Sequence, residues 1–335
     1  MNLSYQKMVE LASSGLQAAG IGEKAAFETA QFLALAELDG LASHGLARVS
    51  QYAGHAKNGR IELSPKVKVR PFKTSAALVD ACDGLAFPAL RFATDLSVNL
   101  ASKAGVSLVA VTNSHHFGVA GHFAEAAARA GYISLLFGNT PAAMPMVGGS
   151  KALFGTNPLA AAFPVANRDP LVIDMSLSAV ARGKLLVAAK KGESIPEGWA
   201  LTAAGKPTTD PNEGLKGLMV PLGGDKGALL ALIIELLVVG LSGSRFSYEA
   251  DSFFDAKGNR PRIGQLLLTI DPGLAGSQIF ASKMQGFLKT LASDSGTRVP
   301  GQRRFKQRAS GFKEGANVSD VVVEEIRAGI RRLWS

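Results

Sequence analysis

The spacing of apolar positions changes period several times along the 335 residues of the chain. Residues 3–38 repeat apolar side chains at i, i+3 and i+4, broken by Gly20-Ile21-Gly22. This predicts two amphipathic helices, the second ending near Gly40. Ser43 is a favourable N-cap residue, and the spacing beyond it predicts a helix to about Lys57. The period then shortens. VKVRPF and SAALVDACDG read as strands, the second ending at Asp80. Phe87 to Ala104 reads as a helix. Val106 to Tyr132 reads as a strand over Ser107–Thr112, a polar turn over Asn113–Gly118, and an Ala-rich helix from Gly118 to Ala130. Tyr132 to Asn139 is a further buried strand.

Thr140 to Phe163 is rich in Pro and Gly, which in a folded chain marks a functional loop or a linker. PLAAAFP and LVIDMS are strands, and Ala179 to Lys190 is a helix that carries Arg182 and Lys184. Glu193 to Pro211 is a loop. Ala228 to Leu241, with Glu235 in its middle, is too short to span a bilayer and reads as a buried helix. Gly264 to Ile270 is a strand, Phe280 to Ala292 a helix, and residues 318–334 a closing amphipathic helix. The pattern is that of an α/β protein. The expected organisation is a helical domain from residues 1–65 with about 300–335, around an α/β region at 66–299 that has room for two subdomains.

Composition narrows the partners. At 47% hydrophobic and 19% charged, the chain is globular. One cysteine, Cys82, excludes an intrachain disulfide and suits a reducing cytoplasm. Residues 1–20 show no basic start followed by an apolar run, so no leader is expected. The net charge of +9 is compatible with nucleic acid, membrane surfaces or small anions. With 7% aromatics and no zinc-finger, RNP-like or helix-turn-helix signature, a phosphate-bearing cofactor or a small carboxylate fits best. Neither nucleic acid nor membrane is an expected partner.

Candidate chemistry gathers at two places. On the helix expected after Ser43, His44, Arg48 and Tyr52 fall at i, i+4 and i+8 on one face. There Arg48 could clamp a carboxylate and His44 exchange a proton at the neighbouring carbon. The plain reading is a solvated helix face behind a capping serine. A helix N-terminus would favour a neutral His44. The second place holds three of the five histidines, His115, His116 and His122, at a strand end where α/β folds bind ligands. A metal site from these with Glu125 is conceivable, though adjacent histidines rarely bind one ion, and His122 alone reads as a surface or core residue. His55 reads as a helix-surface residue. PLGGDKG before the apolar helix could bind phosphate or simply enter the helix. Arg298 to Lys313 holds six basic and no acidic residues and reads as a solvated basic loop or a phosphate contact.

No G-x-G-x-x-G follows a strand, and Walker A, HExxH, CxxC and G-x-S-x-G are absent. A Ser43/His44 hydrolase and a non-catalytic anion-binding protein remain open, although neighbours on a helix should point apart.

Several stretches resemble the type-2 malate/L-lactate dehydrogenase family: SHGLARVSQY, NSHHFGVAGHFA, LFGTNPLAAAFP, LVIDMSLSAVARGK, IPEGWALTAAGKPTTDP, PLGGDKGALLALIIELL and TRVPGQRRF. They run in collinear order from about Leu38 to Phe305. DACDGLAFPAL and GQLLLTIDP are similar to the branch that reduces Δ1-piperideine-2-carboxylate and Δ1-pyrroline-2-carboxylate. The resemblance implies a homodimeric NAD(P)-dependent enzyme with a non-Rossmann mixed-sheet cofactor domain and no metal. It transfers hydride at the carbon α to the carboxylate of a 2-oxo, 2-imino or 2-hydroxy acid, ureidoglycolate- and sulfolactate-type substrates included. It places Ser43, His44, Lys184 and His116 in catalysis, and Arg48 and Thr156 in substrate binding. Cofactor contacts fall on His116, Phe117, Gly118, Val119, Ala120, Asp174, Met175, Ser176, Gly224, Asp225, Arg298, Pro300, Gly301, Arg303 and Arg304. The imino-acid branch carries an Asp at the position of Lys184 and GGHKG where this chain has GGDKG. The basic 298–308 segment favours NADPH over NADH.

Overall fold

A computed structural model describes residues 1–276 and 279–331. The helices in chain order are α1 (Tyr5–Gln17), α2 (Glu23–Leu38), α3 (Ala47–Lys57), α4 (Ala86–Ala104), α5 (Ala120–Arg129), α6 (Arg182–Lys191), α7 (Pro211–Lys216), α8 (Asp225–Ser242), α9 (Phe280–Ser293), α10 (Gln302–Glu314) and α11 (Asp320–Arg331). The main sheet contains β1 (Lys68–Lys73), β2 (Ala76–Asp80), β3 (Val106–Ser114), β4 (Ile133–Gly138), β5 (Leu159–Phe163), β6 (Leu171–Met175) and β7 (Ile263–Ile270). Residues 332–334 of the expected closing helix lie outside the described residues.

The seven strands lie in the order β1-β2-β3-β7-β4-β5-β6. Only β2 and β3 pair in parallel; every other neighbouring pair is antiparallel. β7 arrives late in sequence and inserts between β3 and β4, setting Leu267 opposite both Val109 and Leu136. Alternation along the strands gives the sheet two apolar faces. Val109, Val111, Leu136 and Leu267 join the core formed with α4 and α5. Ala110 and Leu266 join a second core that includes Ala228, Ala231, Ile234 and Val238 of α8. A doubly wound dinucleotide fold would need parallel strands, so the missing glycine fingerprint and this mixed sheet agree.

Local chemistry explains the boundaries. Ser4 caps α1 by accepting the Lys7 N–H at 3.4 Å. α4 ends at Gly105, whose φ of +79° lets the chain turn directly into β3. α1 packs on α2, α3 and α11, α3 also packs on α11, and α10 packs on α2. The first core runs from Met8 and Leu33 in these helices through to Val109 in the sheet.

Four readings change. Ser43 does not cap α3: Ala42–His44 form a separate 3-10 turn, and α3 starts at Ala47. The cap comes instead from α2, where the Glu37 carboxylate accepts the Leu46 N–H at 2.8 Å. The basic run at 298–313 is no solvated loop, because Gln302–Glu314 is helical and the Arg308 side chain is only 11% exposed. His55 is 1% exposed rather than a surface residue. Its Nε2–H donates to the Asp255 carbonyl at 3.0 Å, and its Nδ1 accepts from His115 Nε2 at 3.0 Å. Finally, α8 is buried on one face only, for Leu229, Ile233, Leu236, Leu237 and Leu241 are all exposed.

Candidate active site

β3 delivers the chain to His115 and His116 at its C-terminal end, and the following residues turn into α5. His115 goes inward to His55, while His116 borders a cleft of about 710 Å³. That size suits a small-molecule ligand. The cleft is also lined by Ser43 and His44 from the turn before α3, by Arg48 from the first turn of α3, and by Thr156 from the Pro/Gly-rich stretch. Asp174, Met175 and Ser176 at the end of β6 reach it, as do Phe117 to Ala120 and the segment from Arg298 to Arg304. Residues 200 positions apart in sequence therefore share one cavity.

His44 and His116 stack with ring centroids 5.8 Å apart. Burial, with Arg48 second, pulls the His44 pKa down to about 4. Burial, with the charges of Arg48 and His44 next, holds His116 well below its usual range. Both imidazoles are neutral at pH 7. The expected helix-terminus effect on His44 gives way to desolvation as the cause. The Tyr52 hydroxyl lies 2.6 Å from His116 Nδ1. Tyr52 is fully buried, which pushes its phenol pKa up, so it stays protonated and donates. That bond leaves the imidazole proton on Nε2.

Arg48 is held by its own turn: Nε donates to the Ser43 carbonyl at 2.7 Å and Nη1 to Gln51 at 2.5 Å. Among the described residues no carboxylate pairs with it. Ser43 Oγ contacts His44 Nδ1 at 3.0 Å, contrary to the expectation that neighbours point apart, because a 3-10 turn replaces the α-helix. A hydrolytic triad would need an acid on the other imidazole nitrogen. No such partner stands there among the described residues.

The far side of the cleft is built by a buried ionic network. Arg308 donates to Asp39 at 2.7 and 2.8 Å and to Glu125 at 2.6 and 2.9 Å. His122 Nε2 donates to Asp39 Oδ2 at 2.8 Å. His115, His116 and His122 thus serve three different partners and converge on no common ion. Arg304 lies 3.8 Å from Asp39 and 3.9 Å from Asp174, and its buried Nε has no hydrogen-bond partner. Asp174 accepts the Gly121 N–H at 2.7 Å, which works because a Cβ at Gly121 would stand 2.8 Å from that carboxylate oxygen. Desolvation nevertheless raises the Asp174 pKa.

The loops beside Thr140 and Thr156 hang from α8. Glu235 is 3% exposed. It accepts from Asn157 Nδ2 at 2.9 Å, and from the Ser247 N–H and O–H, both at 2.7 Å. Buried Arg60 does the same for the loop carrying Phe253 and Phe254, binding the carbonyls of Asp251, Ser252, Asp255 and Asn259.

Three expected site residues lie elsewhere. The Lys184 ammonium sits 5.3 Å over the Trp199 ring and does not border the cleft. Gly224 and Asp225 stand at the start of α8, outside its lining. Sequence reasoning missed Asp39, Arg182, Phe253 and Phe254 as cleft residues. Only Arg182 had a visible signal, a basic residue two positions from Lys184.

Comparison with known proteins matches this geometry to one family. The family model described as malate/L-lactate dehydrogenase matches residues 3–327. The chain is 44% identical over 326 residues to a (2R)-3-sulfolactate dehydrogenase (NADP(+)) of Chromohalobacter salexigens, covering 97% of each. It is 34% identical to a Δ1-pyrroline-2-carboxylate/Δ1-piperideine-2-carboxylate reductase of Pseudomonas putida, over 98% of this chain and 96% of that one. Among solved structures, the Δ1-piperideine-2-carboxylate reductase of Pseudomonas syringae pv. tomato superposes with a TM-score of 0.93 at 33% identity, over 98% and 99% of the two chains. The sulfolactate dehydrogenase of Methanocaldococcus jannaschii gives 0.90 at 30% identity, over 100% and 98%. The chain belongs to the malate/L-lactate dehydrogenase family and is an NAD(P)-dependent oxidoreductase.

Proposed function

We propose that the protein transfers hydride between NADP(H) and the carbon α to the carboxylate of a small 2-oxo, 2-hydroxy or cyclic 2-imino acid. The observation that carries this is the meeting of an unpaired Arg48 with the Tyr52-oriented His116 in one cleft. The substrates named for the two relatives are of this kind.

The residues opposite suit the cofactor. Arg298, Arg303 and Arg304 line that end of the cleft and bring guanidinium donors suited to phosphate. Phe117 to Ala120 and Pro300-Gly301 present small or backbone surface, and Asp174 to Ser176 offer acceptors. When bound, the nicotinamide donates or accepts the hydride.

The chain's own work is orientation and proton transfer. Arg48 fixes the carboxylate through two parallel N–H donors. Thr156 closes on the same group. His116 donates its Nε2 proton to the oxygen or nitrogen that gains negative charge, and takes it back in the reverse direction. Neutral His44, held by Ser43, lies beside His116 and leaves the positive charge to arginine. Lys184, Gly224 and Asp225 have no part in this cleft as it stands. The exposed apolar face of α8 would be covered by a second copy of the chain, giving a homodimer. The single cysteine suits a cytoplasmic enzyme.

The test is NADPH oxidation with pyruvate, oxaloacetate, Δ1-pyrroline-2-carboxylate and Δ1-piperideine-2-carboxylate. At least one should be turned over, and His116→Ala should lower kcat by about 10² to 10⁴ while NADPH still binds. Wild-type turnover in that variant would sink the assignment of His116. Failure to bind either nicotinamide cofactor would sink the reading.

A further inference from the structure

Arg48 and Gln51 stand three residues apart on α3, so their side chains share one face of the helix. Arg48 Nη1 donates to Gln51 Oε1 at 2.5 Å, and Gln51 Nε2 donates to the Phe253 carbonyl. A guanidinium can only donate and a carbonyl can only accept, so these two partners fix which end of the amide faces which. A glutamate at 51 could serve Arg48 but not the Phe253 carbonyl. The loop on the far side is anchored without Gln51, because Arg60 holds it at the Asp251, Ser252 and Asn259 carbonyls at 3.0, 2.9 and 2.9 Å. Phe253 from that loop is buried, and its ring meets the His116 ring edge-on with centroids 5.3 Å apart. One amide thus ties the candidate substrate arginine to the loop that packs on the candidate proton donor.

Two of the five Arg48 donors are spent, Nε–H on the Ser43 carbonyl at 2.7 Å and one Nη1–H on Gln51. Among the described residues nothing takes the other N–H on Nη1 or the two on Nη2. With Nε–H occupied, the pair left to grip a carboxylate side by side is Nη1 with Nη2. Both tethers are uncharged. They stop the guanidinium from rotating and leave its charge for a ligand, whereas a carboxylate tether would compete for that charge. Burial lowers the Arg48 pKa, and no carboxylate offsets it. We propose that Gln51 is a positioning residue, a neutral clamp that presents the Nη1–Nη2 edge of Arg48 to the substrate carboxylate at a fixed place relative to His116. This rests on the reading of Arg48 given above and adds what sets its geometry.

The test measures binding of oxamate, a carboxylate isostere of pyruvate, by calorimetry with NADPH present, together with KM and kcat for the acid turned over in the screen above. Gln51→Met keeps the side-chain length and removes both hydrogen bonds. It should weaken oxamate and raise the substrate KM about tenfold, with the loss on KM rather than kcat and with NADPH affinity kept. Gln51→Glu sets a carboxylate against Arg48 that the substrate must displace, so its loss should be larger, on the order of a hundredfold. Arg48→Gln should abolish oxamate binding. A Gln51 that merely fastens the Phe253 loop would give the same loss in both Gln51 variants, with a lower melting temperature and weaker NADPH binding, and that result overturns the proposal. So do two Gln51 variants that bind oxamate as the wild type does while Arg48→Gln does not. Wild-type oxamate binding in Arg48→Gln would instead remove the carboxylate role of Arg48, and the proposal with it. Where the wild type binds no oxamate, the KM values decide by the same ranking. A wild type that neither binds oxamate nor turns over an acid of the screen would end the reading of the cleft and the proposal together.

Discussion

Tyr52→Phe isolates the orientation of His116 from everything else in the cleft. The substitution deletes one oxygen from a fully buried side chain and keeps the ring that packs on Phe87 and His115. What disappears is the 2.6 Å bond that holds the His116 proton on Nε2. The imidazole then either leaves Nδ1 without a donor or moves its proton there, turning Nε2 into an acceptor that cannot protonate a substrate oxygen. A net hydrogen bond is worth about 0.5–1.5 kcal/mol, so the donating tautomer loses up to about tenfold in population. The expected result is a kcat for reduction lowered by about tenfold, with the KM for NADPH unchanged. A chain of this length has an unfolding entropy near its midpoint of about 0.7 kcal/mol/K, so the melting temperature should fall by only about 2 °C. Steady-state NADPH oxidation and a thermal melt on the same samples separate the two effects. A wild-type kcat in Tyr52→Phe would refute the tautomer argument. So would a loss of turnover that tracks a large loss of stability.

Other expectations follow from the same structure. His44 and His55 titrate near 4, and His115 and His116 well below their usual value, mainly because all four are desolvated. The unfolded chain therefore binds protons that the folded chain refuses. Stability should be complete above pH 6.5 and fall as pH drops toward 4, by up to about 1.4 kcal/mol per pH unit for each histidine. A melting temperature flat between pH 7 and 5 would contradict this. Asp39→Ala should cost about 3–5 kcal/mol, or roughly 6 °C, because it leaves Arg308 and His122 buried without their shared acceptor. A melt within 1 °C or so of wild type would show that Glu125 alone suffices. Ile233→Asp with Leu237→Asp should give a folded monomer by sedimentation if α8 is the dimer face, and an unchanged oligomer would point elsewhere.

Much of the architecture was legible because strands and helices announce themselves over ten residues or so. β3, its polar turn and α5 were readable from Val106 to Arg129, as were α4 and β7. The order of the strands was not, since β7 enters the sheet more than a hundred residues after its neighbour β4. The cleft was half legible. Arg48, Tyr52 and His116 stood out by spacing and residue type. The basic run at 298–313 could not be read as a helix lying on acidic partners, because Asp39 is 269 residues from Arg308. His55 looked like a surface residue for the same reason: its partners His115 and Asp255 come from distant segments. The approach of Phe254 to arginines from two different helices is invisible without the tertiary fold.

Glu235 has a consequence for control of the enzyme. It projects from one face of α8, while Leu236 and Leu237 beside it are exposed. An α-helix is only about 10 Å across. Whatever covers the outer face therefore presses on a lever whose other arm carries Asn157 and Ser247, and through them the loops that border the substrate. If a second copy of the chain covers that face, assembly state and turnover share one rigid part. Dilution below the dissociation constant of such a dimer should then loosen substrate binding before it unfolds anything, so that specific activity depends on enzyme concentration.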